Sequence, residues 1–240
     1  MKILYLGPQD IPFHNFLLSK GTVTNTENPI KPIQIKEYDW VISYRYRHIL
    51  TKEHINLAKN PILNLHISFL PWNRGADPNY WSWVENTPKG VTIHAINEEI
   101  DGGDIFVQQQ IYFDRDTETL RSSYNKLLTK VENLFIENFD KIVNNKIKPI
   151  KQDYRTGTIH YKKDFPGVAS FNMPIKELNM TDLEIIDEIE KIRSKNNVNW
   201  MDILRLAFKH APEDARKLMG RVNEYDGRIS QLLKELSNNG

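Results

Sequence analysis

The hydrophobic positions of the chain follow two periods, and the period changes near Thr117. Before that point, short apolar runs and segments that alternate apolar with polar residues predict strands. The predicted strands cover residues 2–7, 39–44, 61–68, 90–97 and 104–113. After Thr117, apolar residues recur at three- and four-residue steps as far as Ile142, which predicts one long amphipathic helix.

Two shorter helices are predicted between the first strands. Residues 11–21 have Pro12 in the first turn and a glycine at the end, and residues 51–59 begin with Thr51 as the N-cap. Strands that alternate with helices predict an α/β fold with a doubly wound, mostly parallel sheet. Ligands of such sheets are expected at the carboxyl ends of the strands.

The chain changes character again at residues 144–158, which are polar and contain Pro149 and Gly157. Proline, glycine and polar residues are typical of the linkers between domains. A domain boundary is therefore predicted near residue 150. It would separate an α/β domain at 1–150 from a small, mostly helical C-terminal domain at 151–240.

The C-terminal domain is predicted to contain helices at 181–195, around 201–210 and around 213–236. Apolar stripes run along the last two helices. These stripes either pack on their own domain or pair with a second copy of the chain, and we expect a homodimer. On that hypothesis, replacing Leu232 and Leu236 by aspartate is expected to yield a monomer, because buried unpaired charges are costly.

Composition and charge narrow the class of protein. Lys and Arg (32) nearly balance Asp and Glu (31), which gives a formal net charge of +1 at pH 7, so no overall field attracts nucleic acid or anionic membranes. The chain contains no cysteine, which excludes disulfides and a cysteine nucleophile. The first apolar run is too short for a signal peptide, and no segment approaches the roughly 20 apolar residues of a membrane span. We therefore expect a cytoplasmic protein.

The stretch NLHISFLPWNRG at residues 64–75 places an amide and an imidazole on one face of a strand, because Asn64 and His66 are two residues apart. The imidazole has an unperturbed pKa near neutrality and can take or give a proton. The amide can donate and accept hydrogen bonds. Such a pair suits acyl transfer to an amine, in which an oxyanion forms and a proton is released. By itself, the pair is equally compatible with a hydrogen-bonded structural feature.

A carboxylate near the imidazole would complete this set, and the best candidate is Asp101 in EIDGGDI. Like His66, it is predicted at the carboxyl end of a strand. The neighbouring Asp104 is a rival carboxylate and is interpreted as a turn or capping residue. We expect ionised Asp101 to raise the pKa of His66 by more than burial lowers it. No serine, cysteine or lysine pairs with this set, which favours direct attack by a substrate amine over a covalent enzyme intermediate.

Three other groups of residues have competing interpretations. The basic turn with Arg47 and His48 either binds an anionic ligand or is a solvated turn. The 7 histidines include no HExxH or HxxxH arrangement, so no catalytic metal is predicted. Four aromatic residues are expected to be mainly core, with at most one or two of them in contact with a ligand. They are Trp72, Tyr80, Trp81 and Trp83.

Two motifs occur in a fixed order along the chain. NLHISFLP at 64–71 is followed by RG at 74–75 and by Pro78, and IDGG comes later at 100–103. Together they resemble the signature of the N10-formyltetrahydrofolate-dependent formyltransferases, and the resemblance covers about residues 1–165. It implies a Rossmann-like α/β domain of the formyltransferase type, with N10-formyltetrahydrofolate as the formyl donor and no metal.

The resemblance also implies roles for individual residues. The catalytic trio would be Asn64, His66 and Asp101. The pterin of the folate would lie between two turns and bind largely through backbone groups of Arg47, His48, Leu50, Ile100, Gly102 and Gly103. The second substrate would be contacted by Arg74, Gly75, Pro78 and Trp81.

Within this family, PWNRGADPNYW and the GTIHYKKDF segment at 157–165 resemble the sugar N-formyltransferases. That branch implies a nucleotide-linked amino sugar as substrate, with dTDP-4-amino-4,6-dideoxyglucose as first choice, and a role in making the O-antigen of lipopolysaccharide. The alternatives are a different amine, such as glycinamide ribonucleotide or methionyl-tRNA, or a non-catalytic protein that binds nucleotide sugars or folate. The near-neutral charge argues against tRNA.

Overall fold

The computed structural model describes residues 1–9, 12–168, 170–179, 209–238 and scattered positions between 183 and 191. The chain divides into two units, Met1–Pro166 and Gly167–Gly240. The sequence predicted a boundary near residue 150, whereas the structure groups residues 151–166 with the α/β unit.

Within the described residues, the first unit contains eight strands. They are β1 (Lys2–Leu6), β2 (Thr22–Thr26), β3 (Trp40–Tyr44), β4 (Leu63–His66), β5 (Arg74–Gly75), β6 (Gly90–Ala95), β7 (Ile105–Gln110) and β8 (Ile159–His160). Six of them form one sheet in the order β2-β1-β3-β4-β6-β7. The first four strands in this order run parallel, whereas β6 is antiparallel to β4 and β7 is antiparallel to β6. The predicted α/β class with a mostly parallel sheet is confirmed.

The strand β2 was not predicted from the sequence. Its residues TVTNT include a single apolar side chain, Val23, and none of its residues is buried. The strand lies at the edge of the sheet and pairs with β1 through the backbone. Backbone pairing at an edge needs no apolar side-chain pattern, so the sequence carried little signal for this strand.

The helices of this unit are α1 (Pro12–Lys20), α2 (Lys52–Leu57), α3 (Pro78–Val84) and α4 (Leu120–Val143). Residues of α1, α2 and α4 pack against the sheet, and α3 packs against α4. The central strand β1 is buried on both faces. Ile3 and Tyr5 share an apolar cluster with Phe135 of α4, whereas Leu4 and Leu6 belong to a separate cluster. Such double burial is typical of parallel strands that lie between two helical layers.

A second sheet consists of β5 and β8 alone, paired in parallel with Arg74 opposite Ile159 and Gly75 opposite His160. The Arg74 N–H donates to the Thr158 carbonyl at 3.0 Å. Gly75 has a φ of +87°, and a Cβ there would lie 2.2 Å from the His160 carbonyl oxygen, so this position requires glycine. The pairing therefore fixes the segment after α4 to the loop after β4.

The second unit contains the helix α5 (Pro212–Asn238). Ile229 and Leu232 are buried in a small cluster with Ile189. Leu232 is fully buried within its own unit, so an aspartate there would disrupt this unit whether or not the protein is a dimer. The substitution at Leu232 therefore does not distinguish a dimer from a monomer, and the homodimer stays a prediction.

The helix around 213–236 was predicted, whereas the predicted helices at 181–195 and around 201–210 lie largely outside the described residues. Among the helices that the structure describes, none is long and apolar enough to cross a lipid bilayer. The cytoplasmic location stays a prediction from the sequence.

Candidate active site

Asn64 and His66 lie on one face of β4, as their spacing predicted. The antiparallel partner β6 places His94 opposite Asn64 and Thr92 opposite His66. The rings of His66 and His94 are nearly perpendicular, with their centroids 6.1 Å apart. His66, Thr92 and His94 are all buried. The two strands therefore form a buried polar patch in the middle of an apolar sheet.

Asp101 brings its carboxylate onto this patch from the turn between β6 and β7. Its Oδ1 accepts a hydrogen bond from Nδ2 of Asn64 at 3.2 Å, and its Oδ2 accepts one from the Gly75 N–H at 2.8 Å. Nδ1 of His66 lies 3.6 Å from Oδ2, and Nε2 of His94 lies 3.4 Å from Oδ1. The structure thus brings the three predicted residues together and adds His94, which the sequence analysis did not single out.

Asp101 lies beyond the carboxyl end of a strand, β6, as predicted, but this strand does not belong to the parallel part of the sheet. Because β6 runs antiparallel to β4, its last residue, Ala95, lies opposite Leu63 at the start of β4. The carboxylate reaches His66 because the turn carries it there, and Asp101 itself adopts a left-handed backbone with a φ of +46°. The rival carboxylate, Asp104, is exposed.

The hydrogen bonds of His66 determine which ring nitrogen is free. Its Nε2 lies 3.1 Å from the carbonyl oxygen of Asn73. A carbonyl oxygen only accepts, so Nε2 carries the hydrogen. The neutral ring then has its lone pair on Nδ1, which is the nitrogen that faces Asp101. The site therefore offers a proton acceptor beside a carboxylate.

Burial lowers the pKa of His66 below its ordinary value of 6.5, although the charge of Asp101 acts in the opposite direction. We expected the charge of Asp101 to outweigh burial, and this was wrong. The expectation assumed a strand end open to solvent, whereas the imidazole of His66 is almost completely buried. His66 is thus neutral at neutral pH in the free protein.

For Asp101, burial alone would raise the pKa. The positive charge that His66 can carry, the contacts of His94 and the hydrogen bond from the Gly75 N–H outweigh burial and hold the pKa of the carboxyl well below its usual range. Asp101 is therefore an ionised carboxylate beside a neutral imidazole, and proton uptake by His66 would create an ion pair.

The carbonyl that holds His66 belongs to a tightly fixed turn. Asn73 is fully buried and adopts a left-handed backbone with a φ of +55°. Its N–H donates to Oγ1 of Thr158 at 3.0 Å, and its Nδ2 donates to Oγ1 of Thr87 at 2.8 Å. These residues were not predicted to belong to the site. Their only possible signal in the sequence is the turn residue Asn73 within PWNRG.

The residues expected to bind the pterin lie on two turns. Arg47 and His48 are exposed on the turn after β3, and Ile100 is 42% exposed on the turn before Asp101. An ion pair of 2.8 Å between Lys52 of α2 and Glu98 joins the neighbourhoods of the two turns. Their exposed groups are therefore available to a ligand.

Three other members of this predicted set are buried. The side chain of Leu50 belongs to an apolar cluster and leaves only its backbone for a ligand. Gly102 and Gly103 are buried within the turn. A Cβ on Gly103 would lie 1.9 Å from the carbonyl oxygen of Ala95, so the turn needs glycine at this position for close backbone packing.

The residues expected to contact the second substrate surround β5. Arg74 is buried, Gly75 donates to Asp101, and Pro78 begins α3. One face of the Trp81 ring stacks on His160, with centroids 4.1 Å apart and an angle of 7° between the planes. Trp81 is therefore half-buried and already has one partner for its ring.

Among the residues that the structure describes, no group of three or more His, Cys, Asp or Glu side chains is arranged to hold a metal ion.

The geometry and the motif order agree with a comparison against protein families. Residues 9–139 match the model of the formyl transferase family. Because the match covers more than half of the 240 residues, the chain belongs to this family.

Solved structures refine the position within the family. The formyltransferase PseJ from Anoxybacillus kamchatkensis, crystallised with UDP-4,6-dideoxy-4-formamido-L-AltNAc and tetrahydrofolate, is 37% identical with a TM-score of 0.68, over 74% of this chain and 97% of that one. A 4-N formyltransferase from Francisella tularensis is 27% identical with a TM-score of 0.60, over 68% of this chain and 77% of that one. The chain thus belongs to the sugar N-formyltransferase branch.

Curated relatives carry a different name. The methionyl-tRNA formyltransferase of Clostridium novyi is 33% identical over 116 residues, which is 48% of this chain and 37% of that protein. The enzyme of the same name from Thermodesulfovibrio yellowstonii is 34% identical over 157 residues, which is 63% of this chain and 49% of that protein. This chain therefore matches less than half of the length of these two relatives.

Proposed function

We propose that this protein transfers the formyl group of N10-formyltetrahydrofolate to the amino group of a nucleotide-linked amino sugar. The observation that carries the proposal is the buried set of Asn64, His66 and Asp101, in which a neutral imidazole turns a bare Nδ1 toward an ionised carboxylate. Formyl transfer to an amine needs such a proton acceptor and a donor for the oxyanion.

In the proposed reaction, the free amine of the sugar attacks the formyl carbon, and a tetrahedral intermediate with an oxyanion forms. The attacking nitrogen then carries an extra proton, which Nδ1 of His66 accepts. The bond between the carbon and N10 of the folate breaks as N10 takes the proton back from the imidazolium. The products are the formamido sugar and tetrahydrofolate. Asp101 stabilises the transient imidazolium across 3.6 Å.

Asn64 is the proposed donor to the oxyanion. In the free protein, one hydrogen on its Nδ2 is directed to Asp101 at 3.2 Å, and the other is directed to Nε2 of His94 at 3.1 Å. The first contact holds the amide in place. An oxyanion that approached the second hydrogen would replace its contact with Nε2 of His94, and His94 would keep the hydrogen bond between its Nδ1 and the Ala95 carbonyl at 2.8 Å.

The folate fits between the two turns that carry Arg47 and Ile100. The fit is supported by an exposed apolar side chain on one turn, exposed basic side chains on the other, and buried glycines that allow close backbone packing in the turn at Asp101. We propose Arg47, His48, Leu50, Ile100, Gly102 and Gly103 as its contacts. Arg74, Gly75, Pro78 and Trp81 are proposed to face the sugar nucleotide.

The sugar is proposed to be a 4-amino-4,6-dideoxy sugar on a pyrimidine nucleoside diphosphate. The sequence favoured dTDP-4-amino-4,6-dideoxyglucose. The relative from Anoxybacillus kamchatkensis contains a UDP-linked 4,6-dideoxy-4-formamido sugar at 37% identity, which favours a UDP-linked acceptor as the second candidate. The two acceptors share the deoxygenated carbon 6 and the amine on carbon 4.

The decisive assay measures formyl transfer from N10-formyltetrahydrofolate to a panel of amines by mass spectrometry of the products. The panel contains UDP- and dTDP-linked 4-amino-4,6-dideoxy sugars, their 3-amino isomers, glycinamide ribonucleotide and methionyl-tRNA. We expect turnover with a 4-amino sugar and a loss of about two to four orders of magnitude in His66→Ala. His210→Ala removes an exposed imidazole and is the matched control.

Two results would overturn the proposal. Faster turnover of glycinamide ribonucleotide or methionyl-tRNA than of any amino sugar would assign the protein to a different acceptor. The names of the curated relatives raise the tRNA alternative, and the near-neutral net charge of +1 argues against it. Calorimetric binding of folate and a sugar nucleotide without turnover of any amine would identify a non-catalytic binding protein.

We also propose that the protein forms a homodimer through α5, since Tyr225 and Leu233 of this helix are 55% and 44% exposed. Tyr225→Glu with Leu233→Glu should convert the dimer to a monomer in sedimentation velocity without loss of helix content. A wild-type protein that sediments as a monomer at high concentration would refute this. The role in O-antigen synthesis stays a prediction from the sequence resemblance.

A further inference from the structure

A buried glutamine lies against the turn that carries Asp101. Gln152 is 5% exposed. Its Nε2 donates to the carbonyl oxygens of Asp101 at 3.0 Å and Gly103 at 2.9 Å. Both acceptors are carbonyls, so the amide must turn its nitrogen toward them, and its orientation is fixed. One side chain thus joins the beginning and the end of the Asp-Gly-Gly turn.

This turn needs an external support. The left-handed backbone of Asp101, with a φ of +46°, is unfavourable for a residue with a side chain and persists only where the surroundings impose it. Within the turn, the Gly102 N–H bonds to the Glu99 carbonyl at 3.2 Å. The two hydrogen bonds from Gln152 hold the backbone carbonyls of Asp101 and Gly103. The side-chain carboxylate of Asp101 remains free to accept from the Gly75 N–H.

Gln152 reaches this position from outside the part of the chain that matches the family. The match ends at residue 139. Past α4, Ile150 and Ile105 exchange backbone hydrogen bonds of 2.8 Å in both directions, which anchors the extended segment beside the end of the turn. The anchor comes two residues before Gln152 and sets the depth to which its side chain is inserted.

We propose that Gln152 is a positioning residue that holds the Asp101 carboxylate against His66. This proposal rests on the function proposed for Asn64, His66 and Asp101. Gln152 contacts none of the proposed reacting groups and acts through the backbone carbonyls of Asp101 and Gly103. If its two hydrogen bonds are lost, the turn relaxes and Oδ2 of Asp101 moves away from Nδ1 of His66, now 3.6 Å distant.

The consequence is measurable at His66 without any substrate. Asp101 raises the pKa of His66 against the effect of burial. Displacing the carboxylate removes part of this opposing effect, so the pKa of His66 should fall further. The other titratable group that faces the ring is His94, which lowers the pKa of His66. Its own contact with the Ala95 carbonyl does not depend on Gln152.

The test uses the full-length protein with Gln152→Met, which keeps the length of the side chain and removes both donors. We expect kcat for the best amino sugar to fall about 10- to 100-fold, since small displacements of catalytic groups have effects of this size. Titration of the His66 ring by NMR should show a midpoint at lower pH than in the wild type. The matched control is Asn138→Leu, which removes an amide that donates to the Leu134 carbonyl at 2.8 Å within α4.

A double-mutant cycle separates positioning from a general loss of structure. In the Asp101→Asn background, Gln152→Met should cause little additional loss of kcat and no additional change in the His66 titration. An unchanged His66 midpoint in Gln152→Met, or the same fold-loss in both backgrounds, would overturn the proposal. If the methionine variant does not fold, Gln152→Asn takes its place, because it keeps an amide but is too short to reach both carbonyls.

Failure of the proposed function is distinguishable from failure of this inference. A wild-type protein that formylates no amine contradicts the proposed function, and the NMR titration still decides whether Gln152 positions Asp101. Conversely, an active wild type with unaffected Gln152 variants contradicts only the positioning role.

Discussion

Replacing Asp101 by asparagine tests the electrostatic core of the proposed mechanism. The substitution keeps the shape of the side chain and removes its charge. The shortest contact of the carboxylate is the 2.8 Å hydrogen bond that Oδ2 accepts from the Gly75 N–H, so the remaining carbonyl oxygen of an asparagine should take this place. Its NH2 group would then face Nδ2 of Asn64, from which Oδ1 now accepts at 3.2 Å, and two donors would oppose each other.

The size of the effect follows from the distance to His66. Unit charges 3.6 Å apart attract each other by about 4 to 5 kcal/mol at an effective dielectric constant of about 20. Water and the reoriented amide replace part of this stabilisation of the imidazolium. Since about 1.4 kcal/mol corresponds to a tenfold change in rate, we expect Asp101→Asn to lower kcat by about two to three orders of magnitude.

The pH dependence has a definite sign. The pKa of His66 is lowered in the wild type. The ring is therefore already protonated, and unable to accept a further proton, only at a pH below the pKa of an ordinary imidazole. Asp101 raises the pKa of His66, and Asp101→Asn should therefore move the midpoint to still lower pH. The amine of the substrate also titrates in rate measurements. The midpoint is accordingly read from NMR of the His66 ring, and kcat is measured on the plateau.

Asp104→Asn is the matched control, because it removes an exposed carboxylate from the same loop. It should change neither kcat nor the titration of His66 appreciably. An Asp101→Asn variant within a few-fold of wild-type turnover and with an unchanged His66 midpoint would show that Asp101 only shapes the turn. The catalytic assignment of the carboxylate would then be wrong.

Two further substitutions test how the site is held. Gly75→Ala should lower the melting temperature and kcat together, because its backbone has a φ of +87° and the new Cβ would lie 2.2 Å from a backbone oxygen. The control is Gly220→Ala, where a Cβ meets open space; it should stabilise its helix by about 1 kcal/mol. Thr158→Val removes the acceptor of the Asn73 N–H and should cost about 1 to 3 kcal/mol in the free energy of unfolding. Thr129→Val, on an exposed part of α4, should cost much less, and equal losses in chemical denaturation would contradict the argument.

The parts of the fold that the sequence predicted are those with strong periodic burial. β1 and β3 are apolar over most of their length because both faces are covered, and α4 repeats its apolar positions for 24 residues. The pairing of Asn64 with His66 followed from the two-residue period of a strand. These features depend on local sequence alone, and local sequence was sufficient to predict them.

The direction of β6 in the sheet could not be predicted from local sequence. Its alternating pattern fits a parallel or an antiparallel strand equally well, and only the pairing with β4 shows that His94 lies opposite Asn64. His94 had a weak signal as a histidine within an alternating strand. The predicted direction of the His66 pKa shift was wrong for a related reason. The burial of the ring depends on the loop at Asn73 and the turn at Asp101, which the local sequence does not place.

The residues that support the catalytic set carry still less signal. Gln152 and Thr158 lie in a polar segment with a proline and a glycine, which the sequence reasonably marks as a linker. Their importance arises from contacts with residues 51 and 85 positions away. No periodicity or motif predicts such contacts, because each of them needs only a single amide or hydroxyl group.

These contacts explain why the segment after α4 belongs to the first unit, Met1–Pro166. Thr158 holds Asn73, whose carbonyl fixes the hydrogen on Nε2 of His66, and Gln152 holds Asp101, whose carboxylate faces Nδ1 of the same ring. The motif residues supply the proposed reacting groups, but each side of the imidazole is set by a polar side chain from beyond the family match. The protonation state of His66 is therefore a property of the whole unit, Met1–Pro166, and the motif alone would leave it undetermined.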